Sequence, residues 1–132
     1  MSDTVINRPT SKIKSGKGLK IERIYTNEGI HPYDEVKWER RDVVQQNWKT
    51  GETVFEQRGV EFPDFWSVNA STIVTTKYFR GAVGAENREY SLKQVIDRVV
   101  LTYVKAGKEF GYFASDADAV VFEHELTHML LH

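Results

Sequence analysis

The chain contains no cysteine. That excludes disulfides, thiolate metal ligands and cysteine-based nucleophile or radical chemistry from these residues. It also lacks any apolar run near the roughly 20 residues needed to cross a bilayer, and the N-terminus has no apolar signal core, so a cytoplasmic protein without membrane contact is expected. Neither sign of charge dominates, with 18 basic against 19 acidic residues. A global nucleic-acid footprint is therefore missing. What remains is a chain of 132 residues, 40% of them apolar, long enough to bury a core of its own and typical of a folded domain.

Charge is nevertheless unevenly placed. Residues 1–20 carry Arg8, Lys12, Lys14, Lys17 and Lys20 against Asp3 alone, whereas Glu109, Asp116, Asp118, Glu123 and Glu125 crowd the C-terminal part. Residues 1–18 read as a flexible, solvated basic tail and 19–132 as the folded domain. A tail that contacts phosphates would make the protein a nucleic-acid-binding module, but no G-x-x-x-x-G-K-[ST] loop supports it, and no direct nucleic-acid contact is expected.

Within the domain, Leu19–Tyr25 mixes β-branched and polar residues and predicts a short strand. Val36, Trp38 and Val43-Val44, a turn at Asn47–Gly51, and Val54-Phe55 through Val60 and Phe62 predict a β-hairpin closed by Pro63. Three helices follow. The first, about 69–79, carries Ala70, Ile73, Val74 and Tyr78 at helical spacing, with Gly81 at its C-cap. The second opens on a Ser91/Gln94 capping box. It runs through Leu92, Val95, Ile96, Val99, Val100, Tyr103 and Val104, with Gly107 as its expected stop. Burying that face is worth on the order of 10 kcal/mol before ordering entropy is subtracted. The third starts at Ser115, with Asp116 and Asp118 favourably placed at the positive end of the helix dipole. Its expected apolar face is Ala119, Phe122, Leu126, Met129 and Leu130. This helix stops in mid-pattern at His132, which reads as the front of a longer protein. The fold class is therefore α+β, a strand and hairpin followed by three amphipathic helices.

One motif stands out chemically. His124-Glu125-Leu126-Thr127-His128 fits H-E-x-x-H, in which two histidines four residues apart hold zinc and the glutamate activates its water. A small zinc hydrolase using His124, Glu125 and His128 is the alternative reading. Against it, a catalytic zinc needs a third protein ligand, and His132 lies about 12 Å from His124 along the helix axis. On a helical wheel the three histidines cluster away from the Phe122, Leu126 and Met129 face. They read as a polar, secondary-contact stripe near the negative helix end, and the zinc pattern as coincidence. His31, beside Pro32, reads as a loop hydrogen-bonder. Asp34 and Glu35 look like a solvated face of the hairpin, and Trp38, Trp48 and Trp66 like core or interface residues.

Several blocks in order carry a resemblance. They are His31-Pro32-Tyr33-Asp34-Glu35, Trp38-Glu39-Arg40-Arg41-Asp42, Val60-Glu61-Phe62-Pro63, Trp66-Ser67-Val68-Asn69 and Lys77-Tyr78-Phe79-Arg80-Gly81. Phe55-Glu56, Ser91-Leu92-Lys93-Gln94 with Asp97-Arg98, Tyr112-Phe113-Ala114-Ser115, Phe122-Glu123-His124-Glu125-Leu126 and Leu130-Leu131-His132 belong with them. Together they resemble the N-terminal domain of adenosylcobalamin-dependent (class II, vitamin B12-dependent) ribonucleotide reductases, from about Gly18 to His132. The resemblance implies reduction of ribonucleotides to deoxyribonucleotides for DNA synthesis and repair. Adenosylcobalamin would generate a thiyl radical, and a cysteine pair would supply electrons, all in a ten-stranded α/β barrel that follows this domain. The implied partners are that barrel, in the same polypeptide or on a separate chain, with ribonucleotide substrates and nucleotide effectors bound by the whole enzyme. Without cysteine this chain holds neither radical site nor reducing pair. It is expected to be a fragment or split piece, inactive and not cobalamin-binding alone, with no catalytic or metal-ligating residue assigned to it.

Overall fold

The computed structural model describes residues 18–132, so the expected basic tail lies, but for Gly18, outside the described residues. The elements are β1 (Trp38–Gln46), β2 (Thr53–Pro63), α1 (Val68–Lys77), α2 (Leu92–Glu109) and α3 (Asp116–Leu131), with a 3-10 turn at Pro32–Glu35. The α+β class, a hairpin followed by three helices, is as expected. Asp34 and Glu35 are exposed, but on the 3-10 turn before the hairpin. Two compact units divide the chain, Tyr33–Ile96 and, in the other, residues 18–32 with Asp97–His132.

In the Tyr33–Ile96 unit, β1 and β2 pair antiparallel from Trp38 opposite Pro63 to Gln46 opposite Thr53, with the register shifting between Arg41 and Val43 and again between Gln45 and Gln46. At the first irregularity the Asp42 carboxylate accepts the Gly59 N–H at 3.0 Å and an Arg58 guanidinium N–H at 3.0 Å. The turn is made locally. The Asn47 side chain accepts the Lys49 and Thr50 N–H groups, an Asx turn. Gly51, at φ +74°, returns its N–H to the Asn47 carbonyl, in a conformation that other residues adopt only with strain.

Phe62 is fully buried, its ring 5.6 Å from Trp66 and 5.8 Å from Phe79. A side chain of that size contributes about 2 kcal/mol on leaving water. Helix α1 contacts both strands, but not through the expected Ala70, Ile73, Val74 and Tyr78 face. Ser71 and Thr75 are its buried residues, while Ile73 and Tyr78 remain exposed. Two arginines bond around this helix. Arg41 donates to the Ser71 hydroxyl at 2.7 Å and to the Pro63 and Asp64 carbonyls. Arg88 donates to the carbonyls of Thr75, Phe79 and Gly81 and to the Gln57 side chain. The Arg88 guanidinium thus satisfies carbonyls at and just beyond the C-terminal end of α1, where the helix itself leaves acceptors open. Its cap is Tyr78, not Gly81, which follows three residues later.

The capping box before α2 forms, Gln94 Oε1 accepting the Ser91 N–H at 3.0 Å and the Tyr90 N–H at 2.8 Å. Leu92, Ile96, Val100 and Val104 are the buried stripe of α2, spaced four apart, while Val99 and Tyr103 at its margins are exposed. Gly107 does not stop the helix, which runs on to Glu109. Its glycine answers a different need: a Cβ there would lie 2.4 Å from the Phe113 ring.

In the other unit, residues 18–32 lie alongside the C-terminal helical region. The expected strand at Leu19–Tyr25 is reduced to one parallel bridge between Leu19 and Phe113. Beyond Leu19 its backbone donors are captured by side chains of α3. The Ile21 N–H goes to Asp118 Oδ1 at 2.9 Å, and the Ile24, Tyr25 and Thr26 N–H groups go to Glu125. Donors held by carboxylates are not available to a ladder. The buried residues of α3 are Ala119, Glu125, Thr127 and Leu131, whereas Met129 and Leu130 of the expected apolar face are exposed. As expected, Ser115 caps α3, its hydroxyl accepting the Asp118 N–H.

Candidate functional site

The polar stripe of α3 carries the H-E-x-x-H residues His124, Glu125 and His128. Glu125, the would-be general base, is buried. Its Oε1 accepts the Ile24 N–H at 3.1 Å and the Tyr25 N–H at 2.9 Å, and its Oε2 accepts the Thr26 N–H at 2.9 Å and the Thr26 hydroxyl. Burial pushes the Glu125 carboxyl upward, but the Thr26 hydroxyl and the three N–H groups outweigh it and hold the group below its ordinary value. A carboxylate stabilised in this way is a poor proton acceptor. His128 stacks on Tyr25 with ring centres 5.2 Å apart and nearly parallel planes, and on His132 at 4.1 Å. Glu125 and His128 therefore serve backbone capping and packing, and the hydrolase reading gains no support from them. The stripe is a secondary-contact face, but Glu125 does far more there than the sequence suggested.

His124 turns elsewhere. Its ring meets His31 edge to face at 5.1 Å, and its Nδ1 is buried without a hydrogen-bond partner. Burial draws the imidazole below its ordinary value, aided by the neighbouring His31 and Arg23 and opposed by Glu123 and Glu125. His124 is thereby biased towards the neutral form. Among the described residues, His31, Glu123 and His124 are the group whose donor atoms all approach within 4.8 Å of one another. Sequence reasoning missed this group. His31 and α3 are far apart in the chain, and no spacing rule links them.

The tryptophans play separate roles. Trp38 donates its indole N–H to the Tyr33 carbonyl at 2.9 Å, under the Lys93 ammonium at 4.5 Å. Trp66 packs on Phe62, and Trp48 is 87% exposed at the hairpin turn. A cavity of about 350 Å³ lies among Gln57, Arg58, Val83 and Arg88, and one of about 210 Å³ among Glu39, Arg41, Ser71 and Thr72. In the second, the Ser71 hydroxyl accepts from Arg41 and donates to the Ser67 carbonyl.

Comparison with known proteins gives one consistent result. A family model described as class II vitamin B12-dependent ribonucleotide reductase matches residues 40–132. The vitamin B12-dependent ribonucleotide reductase of Streptomyces clavuligerus is 68% identical over 123 residues, 93% of this chain and 13% of that protein. That of Streptomyces coelicolor is 68% identical over 119 residues, 90% of this chain and 12% of the relative. A more distant one from Rhodopirellula baltica is 34% identical over 117 residues, covering 87% of this chain and 11% of that protein. The chain thus spans about an eighth of the length of these curated relatives.

Proposed function

Because the chain belongs to the class II vitamin B12-dependent ribonucleotide reductase family, we propose that residues 19–132 act as the N-terminal domain of such a reductase in the cytoplasm. The whole enzyme would reduce ribonucleotides to deoxyribonucleotides, with adenosylcobalamin as radical source and nucleotides as effectors. The observation that carries this reading is the 68% identity over 93% of the chain. The residues here do not fit the radical machinery itself. There is no cysteine to bear a thiyl radical or donate electrons. The described cavities of about 350 and 210 Å³ are at best the size of a site for a drug-sized ligand, which a cobalamin far exceeds. The thiyl radical and its reducing cysteine pair are accordingly assigned to the barrel region of the whole enzyme.

The domain's own task would be to cover and orient that barrel. A chimera tests this. The matching segment of the Streptomyces clavuligerus reductase is replaced by this chain, and adenosylcobalamin-dependent deoxyribonucleotide formation is measured beside a deletion of the segment. The chimera should retain activity and the deletion lose it, with the 132-residue chain inactive by itself. An inactive but folded chimera, or a fully active deletion, would sink the proposal.

A further inference from the structure

His31 stands just before the 3-10 turn that begins at Pro32, and Glu123 and His124 lie in the middle of α3. Two imidazoles and one carboxylate, each partly buried, converge there with donor atoms no more than 4.8 Å apart. A zinc ion with bonds of about 2.1 Å holds tetrahedral ligands roughly 3.4 Å apart. Side-chain rotation closing the widest separation by up to about 1.4 Å therefore suffices. A second observation comes from His124: its buried Nδ1 has no hydrogen-bond partner, a cost native proteins normally avoid. Coordination through the ring, or a reorientation that accompanies it, removes that cost.

We propose that His31, Glu123 and His124 bind one borderline divalent transition ion, of which zinc is the representative, clipping the segment before Pro32 to α3. Imidazole donors select zinc, cobalt or nickel over calcium and magnesium, which prefer all-oxygen shells. The Glu123 carboxylate brings the negative charge that two neutral imidazoles lack, and a fourth position stays open to water. The site is not the H-E-x-x-H pair: it uses His124 but replaces His128 with His31 and Glu125 with Glu123. Nor is it hydrolytic, because the neighbouring Glu125 is occupied by backbone N–H groups. An ion holding residues distant in sequence acts as a staple, since binding energy available only to the folded arrangement stabilises it. The inference stands on this geometry and does not rest on the reductase reading.

The test titrates the chelator-treated 132-residue chain with zinc chloride by calorimetry, and with cobalt chloride by visible absorption. One ion per chain should bind, with ligand-field bands for cobalt and no uptake of calcium or magnesium. His31→Ala and Glu123→Gln should each weaken zinc at least about tenfold, while His128→Ala leaves it unchanged. Should His31→Ala fail to fold, nitrogen-15 NMR of the unsubstituted chain decides. Zinc should move the ring nitrogens of His31 and His124 and leave those of His128 and His132 in place. No stoichiometric zinc at micromolar concentration, loss of zinc in His128→Ala with retention in His31→Ala, or shifts confined to His128 and His132 would each overturn the assignment.

Discussion

Glu125 and Thr26, 99 residues apart in sequence, are joined twice: the Glu125 carboxylate accepts both the backbone N–H and the hydroxyl of Thr26. The same carboxylate takes the Ile24 and Tyr25 N–H groups, so one side chain of α3 terminates an otherwise unpaired stretch of backbone. Charge-assisted bonds of this kind are about twice as strong as neutral ones. Three peptide donors lose their acceptor together if the side chain is removed.

Glu125→Ala is therefore expected to cost about 2 kcal/mol or more, lowering the apparent melting temperature by several degrees. Amide hydrogen exchange gives the local readout: Ile24, Tyr25 and Thr26 should exchange much faster, and Gln94 near the start of α2 should not. Glu125→Gln, which keeps one acceptor oxygen, should fall between. Unaltered exchange at residues 24–26 would show that the carboxylate is dispensable.

Asp118 supplies a pH dependence. Its carboxylate accepts the Ser115 hydroxyl at 2.6 Å and the Ile21 N–H at 2.9 Å. Those bonds, the Ser115 one foremost, hold it below its ordinary 3.8. With the folded value depressed, the unfolded chain binds more protons near that pH. The contribution is complete above the ordinary value and fades as pH falls through the folded one. Denaturation midpoints followed downward from neutral pH should decline below about pH 4, and Asp118→Asn should shallow that decline while lowering stability at neutral pH. An identical acid limb in the variant would refute the assignment.

Gly107 separates helix propensity from packing. Propensity alone makes Gly107→Ala a gain of about 1 kcal/mol inside a helix. The new Cβ, however, would meet the Phe113 ring at 2.4 Å, and that ring is 3% exposed and packed 5.2 Å from Phe122. The net effect should be a loss of about 1–3 kcal/mol, partly recovered in Gly107→Ala/Phe113→Leu. Thermal unfolding of the three proteins decides the sign.

The hairpin, its Asn47–Gly51 turn, the Ser91/Gln94 box and the Ser115 cap were legible because each is written within a few residues, where spacing and side-chain chemistry suffice. The family was legible for a related reason: its blocks are local strings. Four features were decided only by tertiary structure. Arg41 reaches the Ser71 hydroxyl of α1 from β1, and Ser71 and Thr75 are buried against the apolar pattern. Glu125 and Asp118 take the backbone donors of residues 21–26 and keep a β-prone segment out of a ladder. Gly107 is set by the approach of Phe113 and not by a helix end. The same holds for His31, Glu123 and His124, which share a site because the chain folds back and not because of any spacing. Composition by itself settled one matter, since a chain without cysteine cannot form a thiyl radical. Which polar groups meet was left to packing, because a charged side chain seeks the partner that the fold brings within reach.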